Sequence, residues 1–359
     1  MSPPVVHVAS GREWRGGQRQ VWLLAAALNR RGAEQVVVTG TGTELARRLQ
    51  SSGVRVRTVT WRAGLDPRAL WPILRELRRP HAVLHAHDSH SLTLAGVCSA
   101  LTGAPLVVTR RVAFPLRHRF FWRRANRVIV ISSAVRDAVL AAGITPERLV
   151  VIPDGVDLAG FDLAHRDGVR TSLGLPQTGQ LAVSLGGLSA EKAQSTLIAA
   201  AALLVRDLPN LTWAIVGEGP LRGDLEREIA ERGLQGRVRL LGQLDDPHRA
   251  LAAADVFVLS STSEGLGSSI LAAMALDIPV VATRVGGVPD LLGSGGGIMV
   301  AAGNASEFAA AVRRVLTDVE LRQNLTRLAR QELRNFSIGA MADRVLQVYR
   351  SCVHSLDGS

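Results

Sequence analysis

Cysteine, tyrosine and long apolar runs are scarce in this sequence of 359 residues. The two cysteines, Cys98 and Cys352, are too few for a disulfide framework and lack the spacing of a zinc site, so we expect both to be inert packing or surface residues. The longest apolar run, 197–205, is far shorter than the ~20 residues of a membrane-spanning helix. The first residues lack the basic region and apolar core of a signal peptide. These absences predict a cytoplasmic protein.

Lysine is also scarce, although the chain is strongly basic. Lys192 is the only lysine among 42 basic residues, and the formal net charge is +11. Where arginine replaces lysine so freely, a retained lysine indicates a need for a compact, flexible point charge; chance survival is the alternative. The net charge would suit nucleic acid, an anionic membrane surface or a phosphate-rich substrate. Because no nucleic-acid recognition motif accompanies it, we expect no nucleic-acid partner.

Short apolar runs alternate with amphipathic segments along the chain, a rhythm typical of α/β proteins with doubly wound, parallel sheets. The length of the chain suggests two such domains. The strands predicted in the first half are 5–9, 35–39, 54–60, 82–85, 106–109 and 128–131. The helices predicted between them include 17–31, 67–79 and 132–142.

This rhythm pauses near residue 152 and then restarts. Residues 152–157, Ile-Pro-Asp-Gly-Val-Asp, and the polar stretch up to about Gly179 predict a domain linker. The strands predicted in the second half are 181–185, 212–216, 238–241, 256–259 and 279–282. The helices predicted there are 191–205, 221–232, 268–276 and 305–316, followed by a wholly helical tail, 321–351. We therefore expect an N-terminal domain over 1–160, a C-terminal domain over 161–335, and a final helix, 336–359, that crosses back to the N-terminal domain.

Ligands of such sheets bind beyond the carboxyl ends of the strands, in the loops that lead into helices. The strand 256–259 is followed by a loop rich in glycine and hydroxyl residues, and then by a helix. Backbone N–H groups and the helix dipole favour an anion at such a helix start. Glu264, within this loop, suits sugar hydroxyls better than phosphate. The alternative is a polar cap, in which Ser268 or Ser269 only caps the helix.

Two further glycine pairs stand at strand-to-helix junctions. Gly186-Gly187 allows close backbone approach, and Lys192 can reach a phosphate from the following helix start, unless it is merely an exposed surface lysine. Gly16-Gly17 follows the first strand, but its surroundings do not match G-x-G-x-x-G, which disfavours dinucleotide binding.

Polar residues also follow the strands of the first half. His85, His87, Asp88 and His90 cluster after one strand, with a spacing that hints at metal ligation. No cysteine or carboxylate pattern supports a metal, so we predict none and assign His87 and Asp88 to acceptor binding instead.

Arginines could complete the acceptor side. Arg110 and Arg111, at the end of strand 106–109, are predicted to contact a phosphate-bearing acceptor or the donor. Downstream, the segment 116–127 interleaves arginines with Phe-Phe-Trp at 120–122, a composition that suits an anionic membrane surface and hence a peripheral position at the inner face of the membrane. The alternative is an amphipathic helix that packs its aromatic residues inward.

Taken in order, these motifs resemble glycosyltransferase family 4, retaining enzymes of the GT-B fold, over nearly the whole chain. The matching motifs of the second half are Gly186…Glu191-Lys192, Val216-Gly217-Glu218-Gly219-Pro220-Leu221, Leu241-Gly242, Ser263-Glu264-Gly265-Leu266-Gly267, Pro279-Val280-Val281-Ala282-Thr283 and Gly286-Gly287-Val288-Pro289-Asp290. Those of the first half are Gly16-Gly17, His85-Ala86-His87-Asp88, Ile129-Val130-Ile131-Ser132 and Ile152-Pro153-Asp154-Gly155-Val156-Asp157.

The resemblance implies two Rossmann-like domains that face each other across a cleft. It implies transfer of a sugar from a nucleotide diphosphate sugar, the co-substrate, to a hydroxyl of a cell-envelope glycan or lipid-linked acceptor, without a cofactor. Lys192 would neutralise the donor diphosphate and Glu264 would hold the donor sugar; with His87 and Asp88 they are the candidate catalytic residues. The other donor-binding residues implied are Gly16, Gly17, Gly186, Gly187, Gly217, Gln243, Gly267, Ser268 and Ser269. The lack of a D-x-D motif agrees with charge neutralisation by protein groups rather than by a metal.

Three positions depart from the family pattern. Ala272 stands where the family carries a second glutamate for the ribose, Gly187 replaces an arginine, and Ala113 replaces an aspartate common in related sequences. Loss of the ribose carboxylate would weaken nucleotide binding by ~1.5–3 kcal/mol. A catalytically silent GT-B binding module and a GT-B nucleotide-sugar epimerase are therefore the alternatives to an active transferase.

Overall fold

A computed structural model describes residues 2–61, 66–116, 119–158 and 168–357. It divides into two compact units: unit 1 comprises Met1–Gly155 with Phe336–Ser359, and unit 2 comprises Val156–Asn335. The chain leaves unit 1 after Gly155, whereas the sequence placed the first boundary at 160. Residues 159–167, part of the predicted linker, lie outside the described residues. Among the described helices, none is both long enough and apolar enough to cross a membrane.

Unit 1 contains a seven-stranded parallel sheet with the order β3-β2-β1-β4-β5-β6-β7. Its strands are β1 (Val5–Ala9), β2 (Gln35–Gly40), β3 (Val56–Val59), β4 (Val83–Ala86), β5 (Leu106–Arg110), β6 (Arg127–Val130) and β7 (Leu149–Val151). The helices between them are α1 (Gly16–Arg30), α2 (Glu44–Ser51), α3 (Pro67–Glu76), α4 (Ser89–Thr102), α5 (Phe120–Arg124) and α6 (Ser133–Ala141). The central strands β1, β4 and β5 are buried along their whole length, as expected for strands covered on both faces.

Unit 2 contains a six-stranded parallel sheet with the order β10-β9-β8-β11-β12-β13. Its strands are β8 (Gln180–Leu185), β9 (Leu211–Val216), β10 (Val238–Gly242), β11 (Val256–Leu259), β12 (Val280–Thr283) and β13 (Ile298–Val300). Its helices are α7 (Val169–Ser172), α8 (Gln194–Leu204), α9 (Arg222–Glu231), α10 (Pro247–Ala252), α11 (Ser268–Ala275), α12 (Val288–Leu292), α13 (Ala305–Thr317) and α14 (Val319–Leu333). Apolar side chains of α8 and α13, among them Ile198 and Phe308, pack with Trp213 of β9 in its core.

The C-terminal segment departs from the predicted continuous helix. After α14, a 3-10 turn (Arg334–Phe336) interrupts the helical path, and a separate helix α15 (Ile338–Asp357) belongs to unit 1. Ser337 Oγ accepts from the backbone N–H of Ala340 at 3.2 Å, so a side-chain cap restarts the helix. The expectation of a wholly helical tail is wrong because the 3.6-residue periodicity of two successive helices does not reveal a capped break between them.

Every strand predicted from the sequence is present, with ends that differ by at most two residues. The sequence missed β7 and β13, which lie at the edges of the two sheets. Both have only three residues, too few for an alternating pattern to stand out. The expected class, α/β with doubly wound parallel sheets, is confirmed.

The strand orders locate the ligand-binding edges. In the first sheet β1 lies between β2 and β4, and in the second sheet β8 lies between β9 and β11. In each case one neighbour follows directly in the sequence and the other comes later. The connections from these two neighbours run to opposite sides, which opens a crevice beyond the carboxyl ends of the pair β1–β4 and of the pair β8–β11. The loops after these four strands carry most of the candidate residues.

Candidate functional site

Lys192 lies in the loop between β8 and α8, at the carboxyl edge of the unit 2 sheet. It ends a 3-10 turn, Ala190–Lys192, and α8 begins only at Gln194. Between them Ala193 adopts a left-handed conformation with a φ of 47°, which ends the turn before α8 starts. The prediction that Lys192 stands at a helix start is therefore wrong: the left-handed Ala193 places Lys192 in the loop.

Glu264 holds the lysine side chain. Because β8 and β11 are neighbours, the loops that follow them lie side by side. Lys192 Nζ donates to Glu264 Oε1 at 2.5 Å, and Ser261 Oγ donates to the same oxygen at 2.6 Å. The lysine side chain is 25% exposed and the glutamate side chain only 9%, so the carboxylate depends on this partner.

Backbone contacts fix the two loops against each other. Ser260 Oγ donates to the carbonyl oxygen of Lys192 at 2.8 Å, and the Thr262 N–H donates to the carbonyl oxygen of Glu191 at 2.8 Å. Gly286 supports them from the β12–α12 loop: its φ is 51°, and a Cβ there would lie 1.8 Å from the carbonyl oxygen of Glu264. The site thus requires a glycine at this position.

Helix α11 begins beside Glu264. Gly267, with a φ of 87°, is its N-cap, and a glycine has no side chain that could cap the first turn. Ser268 and Ser269 are half-buried first-turn residues, so neither acts as the N-cap in the way that the alternative interpretation required. The N-terminal turn of α11 thus directs the positive end of the helix dipole, which favours an anion, toward this edge.

The remaining predicted donor-binding residues gather at the same edge. Gly217 follows β9 with a φ of 141°, and a Cβ there would lie 2.0 Å from the carbonyl oxygen of Gly186. Gln194 Nε2 donates to the carbonyl oxygen of Gly187 at 2.8 Å, which fixes the second glycine of this loop. Gln243 is exposed directly after β10. The topology thus brings together residues that the sequence places far apart.

Ala272 lies inside α11 and is 3% exposed. It packs within the unit, next to the buried Leu271 and Ala273. At this position the chain contributes apolar packing rather than a carboxylate.

In unit 1, Arg111 connects several predicted residues at the carboxyl edge of the sheet. Its Nη1 donates to the carbonyl oxygen of His87 at 3.3 Å, and its Nε donates to Asp154 Oδ1 at 3.2 Å. A Cβ on Gly17, in the first turn of α1, would lie 4.0 Å from Arg111 Cδ. Gly16 begins the same helix. No site role was predicted for Asp154, which was noted only as part of a turn-forming motif that resembles the family.

Asp88 and Arg110 are engaged with the protein itself. Asp88 caps α4: Ser91 N and Ser10 Oγ donate to its Oδ1, and Ser10 N donates to its Oδ2. Arg110 donates to the carbonyl oxygens of Val112 and Phe114 and to Ser89 Oγ. Burial lowers the pKa of Arg110. Both side chains shape the loops of this edge, and direct substrate contacts by them stay predictions.

Trp14 anchors the loop that leads to Gly16. The Arg48 guanidinium lies 4.6 Å from the centroid of the Trp14 ring, and Trp22 meets the same ring edge-on at 6.3 Å. These contacts tie the loop to α1 and α2, because a cation and a second aromatic ring both bind the π-system.

Three histidines form a buried cluster beneath this edge. Parallel pairing of β1 and β4 sets His7 opposite His85, and the two-residue period of a strand puts His87 on the same face. Nitrogen atoms of the three rings lie within 4.8 Å of one another, a spacing that a metal ion could bridge. Both nitrogens of His85 already have hydroxyl partners, Tyr349 Oη at 2.6 Å and Thr109 Oγ1 at 2.7 Å.

Burial controls the charge of this cluster. Desolvation lowers the pKa of His7 to about 4, and a hydrogen bond with Gln35 opposes the fall. Desolvation, together with the neighbouring histidines and Arg111, holds the pKa of His87 well below its ordinary value. The predicted grouping with His90 is wrong, since His90 is exposed on α4. His7 and Tyr349 take its place, and neither has a motif that would have revealed it.

Comparison with known proteins agrees with this arrangement. The family model Glycosyltransferase Family 4 matches residues 14–159, and Glycosyl transferases group 1 matches residues 166–332. A lipopolysaccharide core biosynthesis glycosyltransferase, LpsE of Rhizobium meliloti (strain 1021), is 28% identical over 97% of this chain and 99% of its own. A 2-deoxystreptamine glucosyltransferase of Streptomyces kanamyceticus is 31% identical over 80% of this chain and 81% of its own.

The fold has solved counterparts as well. The structure of Anabaena Alr3699/HepE in complex with UDP and glucose superposes with a TM-score of 0.86 at 21% identity, over 97% of this chain and 100% of the other. The two doubly wound sheets match the GT-B fold, and the family models and sequence relatives show that the chain is a glycosyltransferase. It belongs to glycosyltransferase family 4, as its motifs indicated. The alternatives of a silent binding module and of an epimerase are not favoured.

Proposed function

We propose that this enzyme transfers a sugar, with retained configuration, from a nucleoside diphosphate sugar to a hydroxyl of its acceptor. The observation that carries the proposal is the Lys192–Glu264 pair, held beside the N-terminus of α11. A cation and a helix N-terminus suit a diphosphate, and a carboxylate suits the hydroxyls of a sugar.

The pair can serve both parts of a donor. An ammonium group has three donors, so Lys192 can bind a phosphate oxygen and still keep its bond to Glu264. Because the lysine neutralises the carboxylate, a phosphate can approach with less repulsion than a lone Glu264 would cause. Negative charge grows on the departing diphosphate as the glycosidic bond breaks. Lys192 and the α11 dipole then bind the transition state more strongly than the ground state.

The residues of unit 1 would bind the sugar hydroxyls and the acceptor. His87, Asp88 and Arg111 meet at one sheet edge, and Gly16 and Gly17 start a helix there that favours an anion. In a retaining transfer on one face of the sugar, the leaving phosphate itself takes the proton of the attacking hydroxyl. The protein then contributes positioning and electrostatic stabilisation, and we assign no general base.

The acceptor we propose is a cell-envelope glycan or a lipid-linked glycan. The rhizobial relative, named for lipopolysaccharide core biosynthesis, aligns along almost the full length of both chains. A relative from Escherichia coli, 26% identical over 79% of this chain, is named for galactosyl transfer to a diphosphoundecaprenol-linked sugar. The first name refers to a lipopolysaccharide and the second to a lipid-linked sugar.

A donor screen tests the transferase. Thermal midpoints would be measured with UDP, GDP, ADP and dTDP and with their hexose conjugates, since a ligand that binds the folded state raises its apparent stability. The preferred donor would then be incubated with the enzyme, and the anomeric configuration of the product followed by NMR. We expect retention. Inverted product, or no stabilisation by any of these nucleotides, would contradict the proposal.

We propose that donor binding needs no divalent metal ion, because Lys192 and the N-terminus of α11 already supply positive charge. Calorimetry of the preferred nucleoside diphosphate, with and without EDTA, should give the same affinity. A clear loss of binding with the chelator would overturn this proposal, and restoration by magnesium would identify the missing ion.

We further propose that α5 and the loop before it contact an anionic membrane surface. Phe120 is 63% exposed, Phe114 53% and Val112 40%, with Arg119, Arg123 and Arg124 beside them in sequence. The other two aromatic residues do not contribute, since Trp122 is 2% exposed and Phe121 packs against Gly96. For these two the inward-packing alternative is correct. Residues 117 and 118 of the predicted segment lie outside the described residues.

Vesicle sedimentation tests the membrane proposal. Binding to anionic vesicles should fall with salt and fall again in Phe114→Ser/Phe120→Ser, while neutral vesicles should bind little. Leu203→Ser is the matched control, because Leu203 is 55% exposed on α8 of unit 2. Equal binding to neutral and anionic vesicles, or equal losses in both variants, would count against the proposal.

A further inference from the structure

His87 has one ring nitrogen whose bonding is unexplained. Its Nε2 lies 2.9 Å from Nδ1 of His7, at hydrogen-bond distance. Its Nδ1 is buried and has no partner among the described residues. A buried polar atom without a partner is costly, so such an atom at a ligand-binding edge indicates a ligand group that completes it.

Gln35 determines which nitrogen of His7 carries the proton. The Gln35 side chain is buried, and its Nε2 donates to the carbonyl oxygen of Ala25 at 2.6 Å. This bond fixes the amide, so its oxygen Oε1 is the atom left for His7. Gln35 Oε1 and His7 Nε2 are both buried, and within the described residues neither lies in a well-formed hydrogen bond. A hydrogen bond with the Gln35 side chain nevertheless raises the pKa of His7, so we infer that these two remaining atoms face each other. Because an amide oxygen only accepts, the proton of His7 belongs on Nε2.

The protonation of His7 then determines that of His87. A neutral imidazole with its proton on Nε2 has a lone pair on Nδ1. His7 Nδ1 is therefore the acceptor of the 2.9 Å bond, and His87 Nε2 is the donor. The second nitrogen of His87, Nδ1, is left with a lone pair.

Packing keeps this arrangement in place. The His85 ring lies 4.0 Å from the His87 ring, and its own nitrogens are held by Tyr349 and Thr109. His85 therefore supports His87 from one side without competing for either of its nitrogens. Burial keeps all three rings neutral, which is the state in which a lone pair exists.

We propose that Gln35 and His7 are positioning residues that hold His87 in one tautomer, with the Nδ1 lone pair presented to a hydroxyl of the substrate. The hydroxyl belongs to the donor sugar or to the acceptor glycan, which share this chemistry. The proposal rests on the transferase function proposed above, since it needs a polyhydroxylated ligand at this edge. The tautomer itself exists without ligand and can be measured separately from activity.

Nitrogen-15 NMR of histidine-labelled enzyme tests the tautomer directly. We expect His87 to show a protonated Nε2 and an unprotonated Nδ1; its signals would be identified as those lost in His87→Gln. In His7→Phe and in Gln35→Leu both neutral tautomers of His87 should be populated. The first variant lacks the acceptor of the His87 Nε2 proton, and the second lacks the residue that sets the tautomer of His7. His7→Asn should largely restore the single form, since its amide oxygen can accept in place of Nδ1. His90→Gln, an exposed histidine of α4, is the control and should leave the His87 signals unchanged.

Kinetics and ligand titration give the second readout. His7→Phe should lower kcat/KM about tenfold, the effect of one hydrogen bond lost from a prepared site, and His7→Asn should recover most of it. If the hydroxyl belongs to the donor, the preferred nucleotide sugar will shift His87 Nδ1 and the nucleoside diphosphate alone will not. If it belongs to the acceptor, neither will shift it, and the loss in His7→Phe will appear in KM for the acceptor.

Three results would overturn the proposal. His87 could carry its proton on Nδ1 in the wild type, or its tautomer could be unchanged in both His7→Phe and Gln35→Leu. Stoichiometric zinc that shifts the signals of all three histidines would instead identify a metal site. Inactivity of the wild type with every donor, combined with the expected tautomer, would refute the transferase and leave the positioning network established.

Discussion

Both candidate sites lie at the carboxyl edge of a parallel sheet, but one is built from charged side chains and the other from neutral ones. In unit 2, Lys192 and Glu264 form an ion pair whose lysine side chain is 25% exposed. In unit 1, His7 and His87 share a hydrogen bond inside a neutral, buried cluster. Water solvates part of the ion pair, whereas desolvation removes the charge of the histidines. A fixed charge suits a leaving diphosphate. Neutral groups that accept and donate hydrogen bonds suit the hydroxyl groups of a sugar.

The largest effect should come from Gly286, which supports the charged site. Gly286→Ala must accommodate a Cβ 1.8 Å from the Glu264 carbonyl oxygen at a φ of 51°. We expect the free energy of unfolding to fall by about 2–4 kcal/mol, from strain and overpacking together, with loss of donor binding. Denaturant unfolding followed by circular dichroism would measure the first effect and calorimetry the second.

The control for this substitution is Gly303→Ala. Gly303 also has a positive φ, 76°, but a Cβ there would meet nothing within 4 Å. It should cost only the left-handed backbone penalty of ~1 kcal/mol and leave donor binding intact. Equal losses in the two variants would show that the contact with Glu264 does not matter.

The next effect concerns the ion pair itself. Lys192→Ala should weaken nucleoside diphosphate binding about ten- to a hundredfold, because a charge-assisted bond to phosphate is lost. Lys192→Arg should rescue only part of it, since the planar guanidinium needs more room than the ammonium. Calorimetry with the preferred diphosphate measures both; unchanged affinity in Lys192→Ala would remove the lysine from the donor site.

The same substitution should also affect folding, an effect that a freely exposed lysine would not have. Glu264, which is 9% exposed in the intact pair, would lose its cation, at a cost of roughly 1–3 kcal/mol. Adding Glu264→Gln should recover most of this stability and none of the affinity. If the double variant is no more stable than Lys192→Ala, the carboxylate does not depend on the lysine.

The stability of the neutral site should depend on pH. The pKa of His7 falls from 6.5 to about 4 in the folded protein, and those of His85 and His87 also fall, so between pH 6.5 and 4 the unfolded chain binds more protons. The free energy of unfolding of unit 1 should therefore decrease as the pH drops from 7 to 5. The slope approaches ~1.4 kcal/mol per pH unit for each histidine that contributes.

Tryptophan fluorescence would follow this transition, since every tryptophan except Trp213 belongs to unit 1. His7→Phe should reduce the dependence of the free energy of unfolding on pH by the contribution of one histidine. His90→Gln should leave this dependence at its wild-type value. A free energy of unfolding that stays constant between pH 7 and 5 would mean that the cluster admits protons when folded.

The smallest effect is expected at Ala193, where the charged site includes a strained residue. Ala193→Gly relieves a left-handed conformation with a φ of 47°, worth ~1–2 kcal/mol, but raises the entropy of the unfolded chain. We expect a net gain of up to about 1 kcal/mol in the free energy of unfolding, with diphosphate affinity nearly unchanged. Ala200→Gly, inside α8, should instead cost ~1 kcal/mol. A loss of stability in Ala193→Gly would show that the turn needs the alanine side chain.

Local patterns were enough to predict the fold class and most elements. The runs 5–9 and 256–259 became buried strands, because a strand covered on both faces is mainly apolar; His7 is the polar exception within the first run. The break before α15 and the loop position of Lys192 were missed. The first depends on the Ser337 cap and the second on the left-handed backbone of Ala193. A hydrophobic periodicity does not report such single-residue features.

By itself, the sequence determined the class of each half, the order of its strands along the chain and the residue types at the strand ends. It also marked Lys192, Glu264 and His87 through motifs whose spacing is local. Only the tertiary structure decided which of these residues meet. Lys192 and Glu264 pair because β8 and β11 are neighbours, and His7 reaches His87 because β1 pairs with β4. The parallel register of distant strands arises from packing over the whole sheet, so no local stretch of sequence records that His7, Gln35 and Tyr349 surround one edge.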